Sequence, residues 1–418
     1  MTVPTRTVII AGAGIGGLTA ALALERGGFR VIVFEEAAEL VDIGAGIQLS
    51  PNATRVLLTL GLGERLKPHV VTPTEVRIQT GAGKHLARIP LGEFAAQRYG
   101  APYWVIHRGD LQFALVDAVR ATPGITLTLD TAVENFTPDT DGVTVHAIHG
   151  RTSFEADDGA TVDTHGIALI GADGLASMVR YELTSKSRSP LKVRDEPRYS
   201  NRTAWRATVP YTAVSADLRE PVIRLWLGRN AHLVHYPVKG GTAINIVAIT
   251  NERRSYRNWA SEEGTSDEVL AHFPREAWSK AALDLLAVPE LWLRWPLFDR
   301  PPSRHWGRGP VTLLGDAAHP MLPFLAQGAA MAIEDAAVLA ECLRTAPDEP
   351  QHALRVYEDE RQPRTAHVQR TARRNGRIYH LGGLAAFARD HVLRKIDSER
   401  LLTRFDWLYD WRPTADQD

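Results

Sequence analysis

Apolar residues run almost unbroken from Val8 to Leu24 behind Arg6, and four glycines, Gly12, Gly14, Gly16 and Gly17, divide the run. Thr7 to Ala11 is rich in strand formers, Gly12 to Gly17 turns, and Leu18 to Arg26 predicts a helix that Gly27 and Gly28 end. A second strand, Arg30 to Phe34, closes a βαβ unit at Glu35. The Gly-containing segment Gly44 to Pro51 leads into a helix opening near Asn52. From about Thr72 to Gln97 the pattern is one of short strands and turns; a helix follows from Arg108, with Asp110 as its expected N-cap. Residues 125 to 171 alternate apolar and polar positions between Gly, Asp and Asn turns, which predicts an antiparallel meander. The alternation returns in Val222 to Leu227, His232 to Pro237 and Ala243 to Thr250. Val311 to Leu314 resumes the α/β pattern, and a long helical region runs from about Gly328 to Asn375. The order predicts a discontinuous α/β domain with a β-rich domain inserted into it.

A chain of 418 residues suits two intimately connected domains, or one large domain carrying an insertion. With 48 basic and 49 acidic side chains the formal charge is -1, and no basic stripe stands out, which sets nucleic-acid binding aside. The single cysteine, Cys342, allows neither an intramolecular disulfide nor a cysteine-rich metal site and fits a reducing cytoplasm. The N-terminal apolar run could pass for a signal or membrane segment, but its glycines and its length argue against that. Glu25, Glu334 and Asp335 interrupt the other apolar stretches, so a soluble, cytoplasmic chain is expected.

Three motifs carry chemistry. Gly12, Gly14 and Gly17 have the GxGxxG spacing between a strand and a helix: the first permits a tight turn, the second lets amides approach a pyrophosphate, and the third lets helix and strand pack. Glu35 ends the second strand, where a carboxylate accepts hydrogen bonds from an adenosine ribose and disfavours a 2'-phosphate. This motif alone leaves FAD and NAD undecided. Asp173-Gly174 follows the strand-like Ile167 to Ile170, and Gly315-Asp316 follows Val311 to Leu314; an aspartate at a strand end can accept bonds from sugar-like hydroxyls.

In this order and at these separations, the three motifs resemble the fingerprints of the single-component FAD-dependent aromatic hydroxylases. Gly46 to Asn52, His107 to Leu111 and Gly315 to Asp335 are similar to the branch that holds salicylate hydroxylase, 3-hydroxybenzoate 6-hydroxylase and 6-hydroxynicotinate 3-monooxygenase. The resemblance implies a Rossmann-like FAD-binding domain from 1-71, 98-183 and 297-375, an inserted antiparallel β-sheet substrate domain from 72-97 and 184-296, and a helical C-terminal region, 376-418. It places the FAD pyrophosphate on Gly12, Gly14 and Gly17, the adenosine ribose on Glu35, the phosphates or flavin edge on Arg108, and the ribityl chain on Asp316. Asp173, Gln48, Gln327, Gly328 and Ala329 are placed with the cofactor too. The turn from Pro323 to Gly328 would aim a positive helix end at the flavin pyrimidine ring.

The implied reaction is hydride transfer from NADH or NADPH to noncovalently bound FAD, addition of dioxygen to form a flavin hydroperoxide, and hydroxylation of a small aromatic acid or phenol. With only one GxGxxG turn, the nicotinamide is expected to dock transiently, on a monomer or homodimer. On the strand His232 to Pro237, alternation puts His232, Val234 and Tyr236 on one face and Leu233 with His235 on the other. The branch has a similar histidine and tyrosine four apart, which makes His232 and Tyr236 the expected catalytic and substrate-binding pair, with Pro323 and Phe324 beside the substrate. Phe324 departs from the family: several salicylate and pyridine hydroxylases have histidine there, and some 3-hydroxybenzoate 6-hydroxylases have glutamine in place of Pro323. Arg206, Arg224 and Gln48 are candidates for a substrate carboxylate, and His319 is expected to be structural. A flavin dehydrogenase or oxidase, or a non-catalytic binding protein on the same fold, remain the alternatives.

Overall fold

The computed structural model describes residues 6–41, 45–150, 160–185, 196–252 and 261–413. Gly44 of the expected Gly44 to Pro51 segment lies outside them. The β-branched run Arg30–Phe34 pairs in parallel with Thr7–Ala11, which has Ala168–Gly171 on its other side. Val311–Leu313 and Ile125–Thr128 form the outer strands of this five-stranded parallel sheet. The helix Ile15–Arg26 packs on it and against the helix Gly328–Thr345. That packing is close: a Cβ at Gly16 would stand 2.7 Å from Leu314 Cδ2 and 3.1 Å from Ala332 Cβ.

The second large sheet has eight strands, in the order Glu262–Gly264, Trp292–Asp299, Arg198–Pro210, Ala243–Asn251, Ala231–Val238, Ile223–Gly228, Glu75–Thr80 and His85–Pro90. All its pairs are antiparallel except Ile223–Gly228 with Glu75–Thr80. Its two faces are buried in different places. Leu233, Trp226 and Ile246 join a core with Trp205, Phe273 and Trp278, whereas Ile78, Leu225 and Tyr236 belong to a core closed by the C-terminal residues Leu401, Leu402 and Tyr409.

Several expectations need correction. The stretch 125 to 171 is not one meander: Thr131–Pro138, Val143–His149 and Ala160–Gly166 form a three-stranded antiparallel sheet, but the segments flanking it join the parallel sheet. The helix at Arg108 is capped by His107, and Asp110 stands in its first turn. Residues 92 to 97 belong to a helix, Gly92–Tyr99. The long helical region is two helices, Gly328–Thr345 and Pro350–Tyr379. Among the described residues, no helix is long and apolar enough to cross a membrane.

Candidate active site

The three glycine-containing motifs meet at one edge of the parallel sheet because each follows the C-terminal end of a neighbouring strand. A Cβ at Gly12 would stand 2.6 Å from the Ala172 carbonyl oxygen and 3.1 Å from Asp173 Cα, and Gly12 itself takes a φ of +102°. Only glycine adopts that backbone without strain. Gly17 lies so close under Gly12 that a Cβ there would strike its carbonyl oxygen. The Leu314 amide donates to the Gly171 carbonyl at 2.9 Å and brings Gly315-Asp316 alongside. Glu35 is tied into the same turn: Ala13 N–H donates to its Oε2 at 2.7 Å and Ala37 N–H to its Oε1 at 3.0 Å.

These residues fit a dinucleotide. A Cβ at Gly14, the N-cap of the helix Ile15–Arg26, would meet no atom within 4 Å, so the turn opens onto free space at a positive helix end. Asp316 is solvent-accessible in a crevice; desolvation pushes its carboxyl up from 3.8, while His319 and Arg108 pull it back. Asp173 Oδ2 accepts the Val179 amide at 3.0 Å, but its buried Oδ1 has no partner. Burial pushes Asp173 up, against Ser177 and the nearby amides. Arg206 Nε, Thr208 Oγ1 and Asn245 Nδ2 are likewise buried without a partner. Buried polar groups are normally satisfied, so the unpartnered Asp173 Oδ1 beside the Gly12 turn suits a polar ligand there. FAD is such a ligand; the one cysteine of the chain, Cys342, has its thiol pushed up to about 12 by burial and by Glu360 and Glu341.

Beside this edge lies a cavity of about 760 Å³, lined by Gln48, Tyr103, His232, Pro323 and Phe324, by aliphatic residues of the sheet, and by apolar and basic residues of the C-terminal helices that include Arg374, Arg389 and Arg404. The expected alternation holds. Cross-strand register aligns Tyr236 with Asn245 and Thr208, Val234 with Val247 and Arg206, and His232 with Ile249 and Ala204. Directly paired residues share a face, so Arg206 stands on the side of His232 and Tyr236. His235 lies on the other side, where Trp226 Nε1 donates to its Nδ1 at 3.3 Å.

His232 lines the cavity; Tyr236 stands deeper, against Gly46 and Asn245. Burial pushes the Tyr236 hydroxyl up, with Arg206 and Gln48 pulling the other way. His232 Nδ1 lies 2.8 Å from His380 Nε2, and its ring is flanked by Phe324 and Tyr379 at centroid distances of 5.5 and 5.4 Å. Burial, His380 and Arg202 hold it well below its ordinary 6.5, so it is a neutral imidazole rather than one titrating near neutrality. Phe324 is buried between His232 and the Arg202 guanidinium, whose carbon lies 4.9 Å from its ring centroid. Arg224 does not reach the cavity: it bonds the Asp217 carbonyl at 2.6 Å and pairs with Glu220.

Gln327 caps the start of the helix Gly328–Thr345. Its side chain turns away, Nε2 donating to Ser50 Oγ at 2.9 Å and Oε1 accepting from Asn52 Nδ2 at 3.2 Å, which leaves its main chain, at the N-cap of Gly328–Thr345, for a ligand. Beneath that helix start, sequence reasoning missed a buried charge cluster. Arg361 bonds Asp335 Oδ1 and Glu334 Oε2, both at 2.7 Å, and Asp335 Oδ2 accepts the Gly315 amide at 3.2 Å and lies 2.5 Å from His319 Nε2. His319 is thus structural. Sequence reasoning also missed Tyr103, whose hydroxyl donates to Gln48 Oε1 at 2.7 Å on the cavity wall, and Gln112, which donates to the Ala13 carbonyl at 3.1 Å.

The sequence profile of the FAD binding domain family matches residues 5–372. The chain is 38% identical over 405 residues to 3-hydroxybenzoate 6-hydroxylase of Polaromonas naphthalenivorans (strain CJ2), covering 97% of this chain and 96% of that protein. To 3-amino-4-hydroxybenzoate 2-monooxygenase of Streptomyces cremeus it is 37% identical, covering 96% and 94%. A solved salicylate hydroxylase substrate complex superposes with a TM-score of 0.79 at 26% identity, covering 98% of this chain and 97% of that one. The chain therefore belongs to the FAD binding domain family and, within it, to the FAD-dependent aromatic hydroxylases.

Proposed function

We propose that this enzyme hydroxylates a hydroxybenzoate-type acid, a ring bearing both a carboxylate and a phenolic hydroxyl, using NAD(P)H and dioxygen. The observation that carries the reading is the buried, unpartnered Arg206 Nε on the same sheet face as His232 and Tyr236. Burial and Arg108 lower its proton affinity and Tyr236 raises it, but an arginine does not discharge. A buried cation without an anion is costly, and a substrate carboxylate would supply one. The relatives' names support this, since each acts on a hydroxybenzoate or salicylate.

Bound FAD supplies the hydride acceptor and the activation of dioxygen; overall, a ring C–H becomes C–OH while NAD(P)H and a proton reduce the second oxygen atom to water. The protein's part is to orient the ring and keep water out. Much of the lining is apolar, Arg206 holds the carboxylate, and neutral His232 accepts the phenolic proton, which makes the ring more nucleophilic. Gln48 and Tyr103 form the polar wall beside it, with the Tyr236 hydroxyl deeper, near Gln48. Hydroxybenzoates, hydroxynicotinates and phenols without a carboxylate should be screened for stimulated NAD(P)H oxidation, with products identified under labelled dioxygen. One labelled oxygen in a hydroxylated benzoate is expected. Oxidised product without label would make the enzyme a dehydrogenase or oxidase, and equal turnover of phenols without a carboxylate would remove Arg206 from the reading.

A further inference from the structure

His232 is the inner end of a hydrogen-bonded row whose direction can be read from its outer end. Arg202 Nε, which can only donate, lies 3.3 Å from Asn251 Oδ1, and Asn251 Nδ2 donates to Asn230 Oδ1 at 3.1 Å. Asn251 therefore presents its oxygen to His380 Nδ1, 2.8 Å away, and His380 Nδ1 must hold the hydrogen. His380 is neutral, pushed down to about 3 by burial, Arg202 and Arg389. Its Nε2 is then bare and accepts from His232 Nδ1 at 2.8 Å, which leaves His232 Nε2 without a hydrogen and, among the described residues, without a hydrogen-bond partner, on a ring that lines the cavity. Tautomers are set by such second partners.

We propose that His380, the C-cap of the Pro350–Tyr379 helix, is a positioning residue: it fixes His232 in the Nδ1–H tautomer so that the Nε2 lone pair faces the substrate hydroxyl. The inference rests on the hydroxylation reading above. When the phenol ionises, its proton goes to His232 Nε2, the Nδ1 hydrogen stays donated to His380, and the imidazolium stands beside the phenolate. Around the pair, Arg202 of the strand Arg198–Pro210 and Arg389 of the helix Gly383–Lys395 are the charged groups, and Tyr379 and Phe324 contribute rings. Arg202 disfavours a proton on either ring, and Arg389 bears on His380 alone, so the hydrogen on His380 Nδ1 is not joined by a second on its Nε2.

The test uses the holoenzyme with 3-hydroxybenzoate as the probe. In wild-type protein containing 15N-histidine, the His232 signals, identified by their loss in His232→Gln, should show a protonated Nδ1 and a bare Nε2; a hydrogen on Nε2 overturns the proposal. His380→Gln keeps an acceptor oxygen towards His232, whereas His380→Leu removes it. At fixed pH, ultraviolet difference spectra should show the bound phenolate fraction falling about tenfold, one pKa unit, in His380→Leu and returning in His380→Gln, with flavin reduction by NAD(P)H unchanged. If His380→Leu keeps the wild-type phenolate fraction while His232→Gln loses it, His380 does not position His232. If His232→Gln keeps it too, the acceptor role of His232 falls, and this inference falls with it.

Discussion

The Ala13 amide donates to Glu35 Oε2 at 2.7 Å, so the acid at the end of the second strand is fastened to the glycine turn that opens the first helix. Its other oxygen holds the Ala37 amide at 3.0 Å. Glu35 thus shapes the turn, and the ribose contact expected of it would use its remaining lone pairs. A hydrogen bond to a charged group contributes about 1.5 to 3 kcal/mol, so Glu35→Ala should weaken FAD binding roughly 10- to 150-fold. Titration of apoprotein with FAD, read by flavin fluorescence, measures it.

Gly14 and Gly17 should separate binding from folding. A side chain at Gly14 projects into open space, so Gly14→Val should leave the thermal transition of the apoprotein near wild type while FAD retention is lost. At Gly17 the added Cβ runs into the Gly12 carbonyl, and Gly17→Val should lower stability even without FAD. Overpacking of this kind typically costs about 1 to 3 kcal/mol or more. Thermal unfolding of both apoproteins checks the contrast.

How far the chain could be read in advance depended on whether the signal was local. Strand, glycine turn, helix and acid follow one another within residues 7 to 35, so the nucleotide edge was legible; alternation along Ala231–Val238 separated His232 from His235 for the same reason. The helix Gly92–Tyr99 was missed because Leu91 caps it without a side-chain hydrogen bond, and Asp110 was misread because a carboxylate suits the first turn as well as the cap. His380 lies 148 residues from His232, and Arg361 lies 26 from Asp335 on a different helix. No periodicity announces such pairings, which exist only once helices pack.

The Arg361 cluster makes an acid-stability prediction. Burial works to raise the Asp335 pKa, but His319 and Arg361 outweigh it, and the native value falls below the ordinary 3.8. A depressed native pKa contributes stability that is fully present above 3.8 and is lost as pH falls through the lower native value. In Arg361→Met the carboxyl loses one of these charges, so the acid loss should begin at higher pH. Removing one partner of a buried pair costs about 3 to 5 kcal/mol. Urea unfolding across an acid pH series follows both effects.

Arg206 should discriminate substrates by their carboxylate. With a charge-assisted contact of about 1.5 to 3 kcal/mol at stake, Arg206→Met should weaken hydroxybenzoate binding roughly 10- to 150-fold. Binding of a phenol that has no carboxylate should change little. Perturbation of the flavin absorption spectrum by each ligand measures the two constants, and equal losses for both would show that Arg206 supports the cofactor instead.

Ring activation can be separated from cofactor reduction by comparing the two histidines of one strand. His232 faces the cavity, whereas His235 points into the opposite core with Trp226 and is pushed down to about 3 by burial and Arg224, with the Leu218 backbone opposing. Flavin reduction needs no phenolate, so His232→Ala should still oxidise NAD(P)H but release more hydrogen peroxide per turnover. General-base assistance typically contributes about 100- to 10,000-fold, which bounds the expected fall in hydroxylation rate. Because His232 is held well below 6.5, the wild-type hydroxylation rate should show no acid limb at that pH. Tyr236→Phe should uncouple more mildly, since its hydroxyl stands deeper, beside Gln48. In His235→Ala coupling should persist while stability falls, because the change removes a buried ring and leaves the Trp226 N–H unpaired. Peroxide yield and product yield, measured together for the three variants, decide the matter: uncoupling in His235→Ala alone would place the activating group on the other face of the sheet.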